Sequence, residues 1–147
     1  MKISIITATF NSSNTIEKTL DSLNILKFKN FEHIIQDNFS SDETISIIKK
    51  KGLVNSKIYL EKDNGIFDAI NRGIKKSNGD IIGILHSDDY FDNKYVLDKV
   101  SNAFAEFNCD VLYGDLNYVQ IKNNKIKILR KWRSGNYSKK KIYNGWM

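Results

Sequence analysis

Two adjacent carboxylates, Asp88 and Asp89, follow a short apolar run, Ile81 to Leu85, with only His86 and Ser87 between. Neighbouring carboxylates repel each other and are costly to desolvate, so a pair at the mouth of a core strand points to a divalent cation. Oxygen donors of this kind suit Mg²⁺ or Mn²⁺; zinc is not indicated, because Cys109, His33 and His86 show no ligand spacing. Other strand-like runs close in the same way, at Asp37, Asp63 and Asp115. One aspartate at such a place is ordinarily a turn or cap residue. A series of strand ends loaded with carboxylates argues instead for a shared ligand site.

Those side chains converge only if the elements bring the strand ends together. Ile3 to Ala8 reads as a buried first strand, and Phe31 to Gln36, Lys57 to Leu60, Ile81 to Leu85 and Val111 to Tyr113 read as the next four. Asn14 with Glu17, and Ser40 with Glu43, have capping-box spacing and start two helices. Ile16, Leu20 and Leu23 supply the apolar face of the first helix, Ile45 and Ile48 that of the second, and Gly52 stops it. Phe67, Ile70 and Ile74 mark a third helix, and Leu97, Val100, Phe104 and Phe107 a fourth. Strand and helix thus alternate before a fifth strand, the pattern of a parallel, doubly wound α/β sheet. Such sheets bind ligands beyond the carboxyl ends of their strands, where strand order reverses. After Asp115, Tyr118 to Ile121 and Lys125 to Leu129 form a hairpin pattern around a Lys122-Asn123-Asn124 turn.

Composition bounds the rest. A chain of 147 residues with 41% hydrophobic and 12% aromatic residues suffices for one domain, and with no proline and no low-complexity linker a single domain over 1–147 is expected. Cys109 follows Phe104 and Phe107 and is expected to be a buried structural thiol. No apolar run approaches the ~20 residues of a membrane span, and Met1-Lys2-Ile3 leads directly into strand-like sequence, so the chain reads as soluble and cytoplasmic. The net charge of +6 is concentrated: residues 116–147 hold nine basic side chains and no acidic one. That segment suits phosphates or an anionic membrane surface, or is simply solvated. No nucleic-acid motif accompanies it, and no nucleic-acid partner is expected.

Two absences narrow the chemistry. Thr7-Ala8-Thr9-Phe10-Asn11 stands where a Gly-x-Gly-x-x-Gly turn would follow the first strand, and there is no Gly-Lys-Ser/Thr loop. A bound nucleotide would lack a backbone cradle for its phosphates, a task that a metal at Asp88 and Asp89 can take over.

Four segments in order, Ser4 to Asn11, Gln36 to Asp42, Asp63 to Ile74 and Leu85 to Asp89, resemble the family 2 inverting glycosyltransferases of the GT-A fold. The resemblance runs from residue 3 to about residue 115. It implies a Rossmann-like, mostly parallel sheet flanked by helices, to which the pattern after Asp115 adds a C-terminal β-hairpin. It also implies a nucleotide-sugar donor, usually a UDP-sugar, a divalent metal, and a glycan or lipid-linked acceptor in cell-surface polysaccharide synthesis. By resemblance Thr7, Thr9, Asn11 and Asp37 line the base and ribose side, Asp68, Asn71 and Arg72 contact the donor, Asp88 reaches ribose or metal, and Asp89 is the metal ligand. His86 departs from the acidic or amide residue that usually opens the metal motif. The family's catalytic base is usually an aspartate well downstream, and no acidic residue follows Asp115, which is left as the only candidate base. The chain is therefore expected to be the donor-binding portion of a longer enzyme, with residues from about 116 opening the acceptor region. The alternative is a catalytically inactive nucleotide-sugar-binding fragment or regulatory module.

Overall fold

Strand β1 (Ile3–Thr9) is buried almost throughout and lies between two parallel neighbours, β2 (Phe31–Asp37) and β4 (Ile81–Ile84). With β3 (Ser56–Leu60) outside β2, the sheet order is β3-β2-β1-β4. The computed structural model describes residues 1–54, 56–122, 125–136, 138 and 140. The chain divides into two compact units, Met1–Ala105 and Glu106–Met147.

In the first unit β2 is buried throughout and β1 almost throughout, polar residues such as Glu32, His33 and Gln36 included, because both faces of a parallel sheet are covered. Ile3 and Ile5 of β1 join Leu23 and Leu26, Ile81, Leu85 and Leu97 in one cluster, beneath α1 (Ile16–Asn24) and α4 (Val96–Phe107). Ile35 joins Ile16, Leu20 and Ile48 of α2 (Thr44–Lys51) in a second cluster. On the opposite face α3 (Ile66–Lys76) approaches β1 closely: a Cβ on Gly73 would lie 2.5 Å from Ile6 Cγ2. Helices therefore cover both faces, as expected for a doubly wound sheet. Among the described residues no helix is long and apolar enough to cross a membrane.

Several local expectations change. Neither capping box forms. The backbone carbonyl of Ser12 accepts the N–H groups of Thr15 and Ile16, so α1 starts after Asn14. Ser40 turns back to Asp37, and it is the Asp42 carboxylate that accepts Thr44 N–H at 2.9 Å at the start of α2. The buried side of α3 is Ala69, Ile70 and Gly73, whereas Phe67 is 80% exposed, because the close approach at Gly73 fixes which face meets the sheet. Phe107 is likewise exposed, and Cys109 is half-buried rather than buried.

In the second unit β5 (Leu116–Lys122) and β6 (Lys125–Trp132) pair antiparallel, with a register shift at Tyr118/Val119. The expected turn residues Asn123 and Asn124 lie outside the described residues. The expected strand at Val111 to Tyr113 is absent. Residues 111–115 are irregular, with Val111 and Leu112 exposed, since three residues without a paired neighbour gain too few ladder bonds to offset their ordering.

At the amino end of the sheet the buried Glu32 carboxylate accepts hydrogen bonds from Ser4 Oγ (2.7 Å), Asn78 N–H (2.9 Å) and Lys57 Nζ (3.1 Å), and Lys2 Nζ lies at 3.3 Å. Burial alone would raise its pKa; the backbone and side-chain donors outweigh that and hold it at about 2. Beside it, burial pushes His33 down to about 3, a neutral ring between Thr7 Oγ1 and Ser56 Oγ. Both groups bind fewer protons in the native state than in the unfolded chain, so both contribute stability that is lost on acidification. His33 acts below pH 6.5 and Glu32 only below pH 4.5. Urea unfolding across a pH series is expected to show stability lost in two ranges: Glu32→Gln shrinks the lower one, to which other paired carboxylates such as Asp68 and Asp115 also contribute, and costs about 3 kcal/mol at pH 7, whereas His33→Gln removes the upper one. Gly73→Ala is expected to cost about 1–3 kcal/mol in the same assay, through overpacking against Ile6.

Candidate functional site

The loop after β4 carries His86, Ser87, Asp88 and Asp89, and helix α1 holds it by hydroxyl groups. Thr19, fully buried, donates its Oγ1 hydrogen between the carbonyls of Ser87 (3.1 Å) and Asp89 (2.8 Å). Ser12 Oγ meets Ser87 Oγ at 2.9 Å, and Ser22 Oγ accepts Phe91 N–H at 3.2 Å. A cleft of about 270 Å³ opens here, lined by Ala8, Ile66, His86, Ser87 and Asp88. Its walls come from the end of β1, the start of α3 and the loop after β4, which places it at the strand-order reversal between β1 and β4.

The acidic pair is electrically unsettled. Among the described residues no donor or cation within hydrogen-bond reach pairs with the Asp88 or Asp89 carboxylate, and partial burial together with the neighbouring Asp88 raises the pKa of Asp89. Two hard-oxygen carboxylates with no such partner among the described residues fit Mg²⁺ or Mn²⁺. Neither ion needs a full protein cage, because phosphates and water complete the shell. The described residues contain no group of three or more His, Cys, Asp or Glu placed to hold a metal.

Asp37 ends β2 as a buried carboxylate that accepts Ser40 N–H at 2.7 Å, Ser40 Oγ–H at 2.6 Å and Thr9 Oγ–H at 2.6 Å. Asn11, with φ 49°, donates its N–H to Ser40 Oγ and accepts Ser41 N–H on Oδ1, both at 2.9 Å. These bonds lock the loops after β1 and β2 to one another. Thr7 lies below them in the core, bonded to His33. At α3, Gly65 occupies φ 114°, a conformation that favours glycine, and donates its N–H to Asp63 Oδ1. Asp68 accepts Asn64 N–H and pairs with Arg72 through two bonds, at 3.2 and 3.1 Å, which lowers its pKa. Asn71 is exposed.

In the second unit the Asp115 carboxylate accepts bonds from Arg133 Nη1, Ser134 N–H (2.8 Å) and Ser134 Oγ (2.9 Å), and they lower its pKa. Stabilising the ionised form makes a weaker base, the reverse of the tuning expected for a group that deprotonates a hydroxyl.

The structure thus joins Asp88 and His86 in the cleft, ties Thr9, Asn11 and Asp37 into the adjoining loops, and pairs Asp68 with Arg72. Sequence reasoning passed over Thr19, whose polar type on the buried side of α1 was the available signal, and the exposed rings Phe10 and Phe39 in the quoted segments.

Comparison with known proteins adds the lineage. The chain is 39% identical over 120 residues to Escherichia coli WfaP, a UDP-Glc:alpha-D-GlcNAc-diphosphoundecaprenol beta-1,3-glucosyltransferase, covering 79% of this chain and 45% of that protein. It is 35% identical over 119 residues to Staphylococcus aureus TarP, a poly(ribitol-phosphate) beta-N-acetylglucosaminyltransferase, covering 77% and 36%. The crystal structure of S. aureus TarS 1-349 in complex with UDP-GlcNAc superposes with a TM-score of 0.70 at 30% identity, over 75% of this chain and 33% of that one. The chain therefore spans less than half the length of these relatives. Its sheet order, its flanking helices and the TarS superposition are those of the GT-A fold. With the profile of Glycosyl transferase family 2 matching residues 4–146, the chain belongs to that family.

Proposed function

We propose that this chain is the donor-binding part of an inverting, metal-dependent glycosyltransferase that moves a sugar from a UDP-sugar to a glycan or lipid-linked acceptor, in cell-surface polysaccharide synthesis. The observation that carries the reading is the Asp88–Asp89 pair, with no hydrogen-bonded donor or cation on either carboxylate among the described residues, beside a cleft at the strand-order reversal. A UDP-sugar is favoured because the TarS structure holds UDP-GlcNAc and WfaP is named for UDP-Glc.

In this reading Asp89, with Asp88, holds Mn²⁺ or Mg²⁺, and Asp88 also reaches the ribose. The metal, when bound, neutralises the diphosphate and stabilises it as a leaving group. Thr9, Asn11 and Asp37 shape the base side through the locked loops, with Thr7 supporting them from the core. Asp68, held by Arg72 and bonded to Asn64 N–H, fixes the start of α3, and Asn71 farther along the helix is a further polar contact for the donor. Asp115 acts as a tie between Arg133 and Ser134, and the base that activates the acceptor hydroxyl is assigned to a residue outside this chain. The basic residues of 116–147 suit anionic lipid, which supports a peripheral position at the cytoplasmic face of the membrane in this reading. A second reading, donor binding without transfer, is favoured by the engagement of Asp115 alone; a sensitive assay for donor hydrolysis separates the two.

UDP with Mn²⁺ is expected to raise the melting midpoint, by an amount equivalent to about 2.7 kcal/mol at a hundredfold excess over Kd. Asp89→Ala is expected to abolish the Mn²⁺-dependent part of that rise, read by differential scanning fluorimetry. No shift with any nucleoside diphosphate sinks the proposal. Thr19→Val leaves two loop carbonyls without their donor and is expected to cost about 1–3 kcal/mol of stability. It is also expected to weaken the Mn²⁺ response, although Thr19 touches no ligand in this reading.

A further inference from the structure

Phe39 stands 60% exposed at φ +52°, on the loop directly after Asp37. A bulky residue in the left-handed region is strained, and such strain persists only where the surroundings impose it. Here they do. Asp37 captures both donors of Ser40, Asn38 N–H bonds the Thr9 carbonyl at 3.1 Å, and Ser40 and Ser41 bond Asn11. The strain is not offset by burial, since most of the ring faces solvent.

The same bonds set what lies beside it. Thr9–Asn38 on one side and Asn11–Ser40/Ser41 on the other bracket Phe10, 59% exposed, on the β1 loop and Phe39 on the β2 loop. Two exposed rings are thereby held at matching positions on loops that cannot shift independently. We infer that Phe39 is a nucleobase-contacting residue, its ring extending the exposed apolar surface begun by Phe10 for a planar heterocycle, at the carboxyl ends of β1 and β2. Aromatic rings suit this task because stacking needs no particular hydrogen-bond pattern and loses little rotamer freedom. The inference rests on the donor-binding reading and adds a residue to it.

The test is Phe39→Asn in the full chain. Asparagine tolerates a positive φ, so the loop keeps its conformation while the ring and its strain go. The free variant is expected to melt at or above the wild-type midpoint. Its affinity for UDP in excess Mn²⁺, measured by calorimetry, is expected to fall about tenfold, while binding of inorganic pyrophosphate with Mn²⁺ stays unchanged. Phe39→Tyr is expected to retain UDP affinity within about twofold. Wild-type affinity for UDP in Phe39→Asn, an equal loss for pyrophosphate, or a lower melting midpoint that shows the ring serving the fold, each overturns the inference. A wild-type protein that binds no UDP at all removes the donor reading, and the inference falls with it.

Discussion

The first unit depends on β1 being flanked on both edges and covered on both faces. Ile3 and Ile5 meet α1 and α4 on one side, while Ile6 meets α3 across the gap that Gly73 leaves on the other. Parallel pairing with β2 and β4 then aligns the carboxyl ends of three strands, and each ends beside a loop that carries polar side chains. Every element of the candidate site is referred to that alignment. The β1 and β2 loops bond to each other, and the β4 loop bonds to α1, which itself packs beneath the sheet.

The two ends of the sheet treat buried charge oppositely. At the amino end Glu32 has a donor for each oxygen and two lysines near it, so it stays ionised and serves the fold. Asp37, near the carboxyl end, is equally well supplied and organises its loop. Asp88 and Asp89 are left without such donors among the described residues, and partial burial, with the repulsion of Asp88, raises the pKa of Asp89. That repulsion does nothing for the fold, and in the proposed donor site a cation would relieve it. The strained Phe39 follows the same logic: a conformation imposed by well-satisfied neighbours, at a place where the strain does nothing for the core.

Residues 106–147 form a unit with a different character. Its hairpin is basic, leaves Leu116, Tyr118, Ile126, Ile128 and Leu129 exposed, and is tied near its base by Asp115, Arg133 and Ser134. An apolar residue there gains little from the unit itself, since a two-stranded ribbon has no interior.

The sequence alone determined the alternation of strands and helices in residues 1–105, the hairpin, and the acidic pair at a strand end. Each of these rests on local periodicity or on residue type beside it, which pattern reading detects. It did not determine the helix caps, because the donors near Asn14 and Ser40 were claimed by Ser12 and Asp37, partners chosen by loop geometry. Nor did it determine the face of α3 or the missing fifth strand: close packing at Gly73 settles the first, and the lack of a paired neighbour the second. Thr19 is the clearest case. Its spacing on α1 is that of a core residue, and only the packing of α1 against the β4 loop makes its hydroxyl the support of Ser87 and Asp89. Which carboxylates gain donors and which, among the described residues, stay without them is likewise a tertiary decision, since it depends on donors from segments distant in the chain.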